Sequence, residues 1–159
     1  MSQYQIRRFA RPYDWETIDP VIQDQGAVIL EGFFSEGEIT VLNRELDDYL
    51  VANPNIGIPS TGSSSFDKFL GRRTVRLQCL TEKVASVPRW FGDPEMCAWA
   101  ERSLAPISPS ALLNSAEMIQ VGPGEQKQIP HRDTDSWPAV PIGEHAVQVG
   151  ALVALAPCK

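Results

Sequence analysis

An α+β fold is predicted, with helices early in the chain and strands late, and three observations carry it. Residues 36–52 place Ile39, Leu42, Leu46 and Leu50 on one face at helical spacing. Residues 146–156, Ala-Val-Gln-Val-Gly-Ala-Leu-Val-Ala-Leu-Ala, form an apolar run that suits a strand covered on both faces. The length of 159 residues with 43% hydrophobic side chains is that of one domain with a real core. Together they predict a single domain over 1–159. Its helical layer spans about residues 13–105, and a strand core begins over about 110–156, as in an α+β layout or a β-sandwich with an N-terminal helical layer.

The elements follow in order. Trp15, Ile18, Val21 and Ile22 give residues 14–25 an amphipathic helical spacing, with Pro20 expected to kink or delay the helix. Gly26 to Gly32 is an apolar run between glycines and reads as a buried strand. Ser35 precedes Glu38 by three, a capping-box spacing that starts the helix over 36–52. Residues 53–65 are rich in Pro, Gly, Ser and Asn and read as a loop, either a lid or a plain surface segment. Thr74 to Leu80 reads as a strand, and Asp93-Pro94 as an N-cap and first residue of a helix through Leu104. Ala111 to Val121 is a second strand, Gly122-Pro123-Gly124 a turn, and Gln128 to Asp133 an extended segment.

Composition narrows the function classes. Fourteen basic against 20 acidic residues give a net charge of -6, which disfavours nucleic acid as the main partner. The chain contains no stretch of membrane-spanning length, and its first residues show no apolar segment typical of a secretory signal. Cys79, Cys97 and Cys158 are odd in number and widely spaced, as reduced thiols of a cytoplasmic protein would be. Cys79 and Cys97 read as small packing side chains rather than nucleophiles.

The strongest chemical candidate is His131-Arg132-Asp133. Residues two apart on an extended segment point to the same side, so one imidazole nitrogen and one carboxylate oxygen can meet at a metal ion. Two histidines and one carboxylate form the facial triad of non-haem iron(II) oxygenases. Taken alone, the pair is equally a surface His–Asp pair in a turn.

The surroundings extend the pattern. Gly122-Pro123-Gly124-Glu125 and Gln128 precede His131, Trp137 follows, and the apolar run ending at Leu155 comes after. Upstream lie Gly32-Phe33-Phe34-Ser35, Phe69-Leu70-Gly71-Arg72-Arg73-Thr74-Val75-Arg76, and the step at Asp93-Pro94. On these residues, from about 16 to 155, the chain resembles the phytanoyl-CoA dioxygenase family of iron(II)- and 2-oxoglutarate-dependent oxygenases. In particular it resembles the bacterial and fungal branch that acts on secondary metabolites and other small molecules. The resemblance implies that His131 and Asp133 are iron ligands, that Gln128 lies near the 2-oxoglutarate, and that Trp137 borders the substrate cavity. It also implies a double-stranded β-helix, a jelly-roll relative of the cupins.

The family pattern further asks for a second histidine several dozen residues on, and an arginine that pairs with the distal carboxylate of 2-oxoglutarate. Only 26 residues follow Asp133, with His145 and no arginine among them. His145 reads as an exposed loop residue. The chain is therefore expected to be a C-terminally truncated member, inactive or incomplete by itself. The alternative is a non-catalytic partner that pairs through a free sheet edge with a full-length oxygenase, or a pseudogene product. Arg72, Arg73 and Arg76 read either as facing an anionic ligand or as a solvated strand edge.

Overall fold

The computed structural model describes residues 5–58, 60–140, 143 and 145–157. It is a mixture of helices and small sheets, in agreement with an α+β class. The chain falls into two compact units, residues 1–40 and 41–159.

In the first unit, β1 (Arg7–Ala10) pairs in parallel with β2 (Val28–Glu31), in the register Arg7 to Val28 through Ala10 to Glu31. Parallel neighbours need a crossover, and α1 (Trp15–Gln25) supplies it. The helix starts at Trp15 and runs through Pro20, so of the two expected effects of Pro20, a kink or a late start, the late start does not occur. Proline lacks an N–H and so removes one bond to the preceding turn, while Ile18 and Val21 stay buried on the inner face. Gly26 ends the helix in the left-handed conformation, at φ 80°, with its N–H donating to the Ile22 carbonyl. The sequence gives no strand signal for β1, whose residues are Arg-Arg-Phe-Ala. Polar contacts secure it instead: Arg8 Nε lies 2.7 Å from a Glu31 carboxylate oxygen, and the Tyr13 hydroxyl donates to the Glu31 carbonyl at 2.7 Å. The Arg11 guanidinium donates to the Gly32 and Phe33 carbonyls and lies over the Tyr13 and Phe33 rings.

α2 (Glu36–Ala52) has the predicted bounds. Its capping box is reciprocal: the Glu38 N–H donates to Ser35 Oγ at 3.3 Å, and the Ser35 N–H donates to the Glu38 carboxylate at 2.9 Å.

The second unit is built on β3 (Thr74–Leu77), antiparallel to β4 (Met118–Val121), with Thr74 opposite Val121 and Leu77 opposite Met118. α3 (Ser64–Leu70) precedes β3. Then come α4 (Leu80–Lys83), α5 (Val87–Phe91) and α6 (Pro94–Leu104). Leu42, Leu46, Leu77, Leu80, Val84, Val87, Trp90, Ala116 and Met118 are the buried apolar side chains of this unit. The Ser86 N–H donates to the Glu45 carboxylate at 3.1 Å. The Ser86 side chain and backbone N–H beside it hold that carboxyl below its usual range.

Several expectations are corrected here. The strand expected over 111–121 shrinks to β4, and the one over 74–80 ends at Leu77, because Leu80 opens α4. α3 lies partly within the segment read as a loop; Ser63 caps it, its hydroxyl accepting from the Phe66 N–H at 3.4 Å. Residues 146–156 form no strand, and Leu152 is 97% exposed. Apolar composition alone cannot make a strand, since each needs a partner for its N–H and C=O groups. Among the described residues nothing forms a ladder with this run. Its Leu155 carbonyl accepts from the Asn43 amide at 2.8 Å. The strands described form two two-stranded sheets rather than a double-stranded β-helix. Cys79 and Cys97 are exposed, not packed: Cys79 sits at φ 54° just ahead of α4, and Cys97 on the outer side of α6. Cys158 lies outside the described residues. Among the described residues no helix is long and apolar enough to cross a membrane.

Candidate functional site

The site lies in the second unit, where residues 122–133 run beside residues 69–76. Two glycines permit this approach. A Cβ on Gly122 would strike the Arg73 carbonyl, and one on Gly71 would strike the Thr74 hydroxyl. The Gly122 N–H donates to the Arg73 carbonyl at 2.8 Å, extending the β3–β4 pairing past its end.

Glu125 then fastens the turn. Its carboxylate accepts from the Arg73 N–H, from the Thr74 hydroxyl at 3.2 Å and from the Gln126 N–H at 2.9 Å. The backbone N–H of Arg73, followed by that of Gln126, holds the Glu125 carboxyl below its usual range. Of the three arginines read as facing a ligand or a solvated edge, Arg72 is exposed, whereas Arg73 and Arg76 serve the scaffold. Arg73 donates to the Pro123 carbonyl at 3.1 Å. Arg76, largely buried, donates to the Leu70 carbonyl at 2.9 Å and pairs with Glu117 at 3.3 Å.

The motif residues come next. Gln128 Nε2 donates to the Phe69 carbonyl at 3.0 Å. The His131 ring meets the Phe69 ring edge to face, with centroids 4.9 Å apart and planes at 75°. Phe69 stacks in turn on Phe66, at 6.0 Å and 15°. Arg132 is extended (φ -114°, ψ 130°), so His131 and Asp133 point to one side as the spacing predicts. His131 Nε2 lies 3.4 Å from Asp133 Oδ1. The expected extended segment forms no strand here and passes at Asp133 into a 3-10 turn through Ser136.

This pair fits part of a metal site. Two donors at about 2.1 Å from one metal ion, at right angles, stand about 3 Å apart, close to the observed separation. His131 Nδ1 lies 2.9 Å from the Ile129 carbonyl, which can only accept, so Nδ1 carries hydrogen. In the neutral imidazole this leaves the Nε2 lone pair facing the carboxylate, the orientation of a metal-bound histidine. Among the described residues no group of three His, Cys, Asp or Glu side chains gathers, so His145, exposed in its loop, does not complete a triad. Trp137 is tied to the later segment, its indole N–H donating to the Gln148 side-chain oxygen at 3.1 Å.

Two contributors escaped the sequence reading. Phe69 and Glu125 stand within the quoted motifs, but nothing in a linear sequence shows that residues about fifty to sixty positions apart meet.

No protein-family model matches the chain. It is 28% identical over 149 residues to dioxygenase aneA of Aspergillus aculeatus, covering 89% of this chain and 47% of that protein. It is 27% identical over 150 residues to dioxygenase hkm4 of Aspergillus hancockii, covering 89% of this chain and 48% of that one. Over 130 residues it is 30% identical to dioxygenase FUM3 of Gibberella moniliformis, covering 76% and 42%. The chain is thus similar to fungal proteins named dioxygenases, and it spans less than half the length of each.

Proposed function

We propose that this chain carries two metal ligands, His131 and Asp133, of a phytanoyl-CoA dioxygenase-like oxygenase acting on a small organic molecule. The observation that supports this reading best is the 3.4 Å approach of His131 Nε2 to Asp133 Oδ1, with Nδ1 held by a carbonyl. The similarity to dioxygenases supports the reaction class. Iron(II) bound there, with 2-oxoglutarate, would divide dioxygen between succinate and the oxidised substrate.

Each residue then has a task. The Ile129 carbonyl fixes the imidazole tautomer, and Asp133 supplies negative charge beside it. One Gln128 amide hydrogen goes to Phe69, and the second is a donor that a 2-oxoglutarate carboxylate would accept. Trp137 would border the substrate. Among the described residues no third ligand joins the pair, and the 26 residues after Asp133 hold no arginine for the distal carboxylate. The proposal therefore assigns the chain alone little or no turnover.

The test is succinate release with iron(II), 2-oxoglutarate and oxygen, alongside manganese(II) binding by calorimetry. Weak binding abolished by His131→Ala and by Asp133→Ala, without turnover, is the expected result. Binding indifferent to both substitutions would overturn the site. Stoichiometric turnover blocked by His131→Ala would overturn the inactivity.

A further inference from the structure

Phe69 holds the His131 motif at two points, by independent means. Its carbonyl accepts from Gln128, three residues ahead of His131, and its ring meets the His131 imidazole itself. Phe69 is in turn well anchored. It sits in the last turn of α3, and the next residue's carbonyl accepts from Arg76, whose own carboxylate partner is Glu117. At the start of α3, the Asp67 carboxylate accepts from the Thr61 N–H at 2.8 Å and the Thr61 hydroxyl at 2.7 Å. Phe66 covers the Phe69 ring while remaining 49% exposed itself.

His131 needs such a grip. Its side chain is 39% exposed, on a segment with no strand ladder to stiffen it. The Ile129 carbonyl comes from that same segment, so it can fix the tautomer but cannot locate the ring on the rest of the unit. The Phe69 contact is what ties the imidazole plane to α3. An edge-to-face contact restricts ring rotation, which sets the direction of Nε2 relative to Asp133.

We infer that Phe69 is a positioning residue, holding the His131 ring so that Nε2 meets a metal ion together with Asp133. The metal part of this rests on the oxygenase reading, while the orientation of the ring does not. Partners that orient a metal-bound histidine typically contribute about tenfold or more to metal affinity.

The chain's two histidines make the test direct, because His145 is an internal reference for His131. In the nuclear magnetic resonance spectrum of the whole chain, the Phe69 ring should displace the His131 ring protons from the positions of an exposed imidazole. Phe69→Leu should abolish that displacement, leave His145 unmoved and weaken cobalt(II) binding about tenfold. Phe69→Tyr should restore both. Phe69→Trp, whose larger ring current should change the displacement, keeps the question open to refutation if the leucine variant fails to fold. A His131 resonance indifferent to Leu and Trp at this position would overturn the inference. A wild-type chain that takes no cobalt yet shows the Phe69-dependent displacement would refute the metal reading and leave the positioning standing.

Discussion

The Glu125 carboxylate accepts from the backbone N–H of Arg73, while the Arg73 guanidinium turns away to the Pro123 carbonyl. Glu125 is thus a clamp on main chain, and it sets where the segment leading to His131 begins.

That clamp should be acid-sensitive. The Glu125 carboxyl lies below its reference value of 4.5 in the folded chain. Its contribution is therefore fully present above that unfolded value and disappears as pH falls through the folded one. Glu125→Gln should unfold at lower urea than wild type at neutral pH, and the two midpoints should converge on acidification. Asp67 and Glu45 shift in the same direction, so the diagnostic is the difference between the two proteins rather than the wild-type curve. A gap that stays constant down to acid pH would contradict the clamp.

Gly122 should tolerate no side chain. A Cβ there runs into the Arg73 carbonyl, a backbone atom that cannot swing aside. Gly122→Ala should cost about 1–3 kcal/mol, as overpacking does, read from the denaturant midpoint.

Burial should separate two leucines. Leu77 is 1% exposed and Leu152 is 97% exposed. Leu77→Ala should cost about 2–5 kcal/mol, and Leu152→Ala less than about 0.5 kcal/mol. Equal losses in chemical denaturation would mean that Leu152 is packed in solution.

Thiol chemistry checks the two cysteines. Cys79 and Cys97 are both exposed, so each should react with a thiol-specific reagent in the native chain. Cys79→Ser and Cys97→Ser should each remove one fast-reacting equivalent.

The two predicted helices with the plainest local signals emerged with their predicted bounds. Ser35 with Glu38 starts α2, and Asp93 caps α6, its carboxylate accepting from Glu95 and Met96 at 2.9 and 3.0 Å. Caps act within one turn, so they are legible one residue at a time. β1 was not legible, because its strand character comes from pairing with β2 rather than from Arg-Arg-Phe-Ala. The reverse held for 146–156, where apolar side chains advertise burial without naming what would pair with their backbone. At the site, the common direction of His131 and Asp133 followed from one extended residue between them. The role of Phe69 did not, because it depends on how two distant segments lie side by side.

The parallel pair in the first unit also bears on the order of folding. Arg8 and Glu31, whose side chains pair there, are 23 positions apart, while Arg76 and Glu117, whose side chains pair beside the antiparallel strands, are 41 apart. Closing the longer loop costs only about 0.5 kcal/mol more. The shorter one is also spanned by a single helix. Amide protection in a pulsed-exchange refolding experiment should therefore rise at Val28–Glu31 before Thr74–Leu77, and the opposite order would place the nucleus in the second unit. Residues about a hundred positions ahead of His131 in the sequence would then be the first to acquire a shape.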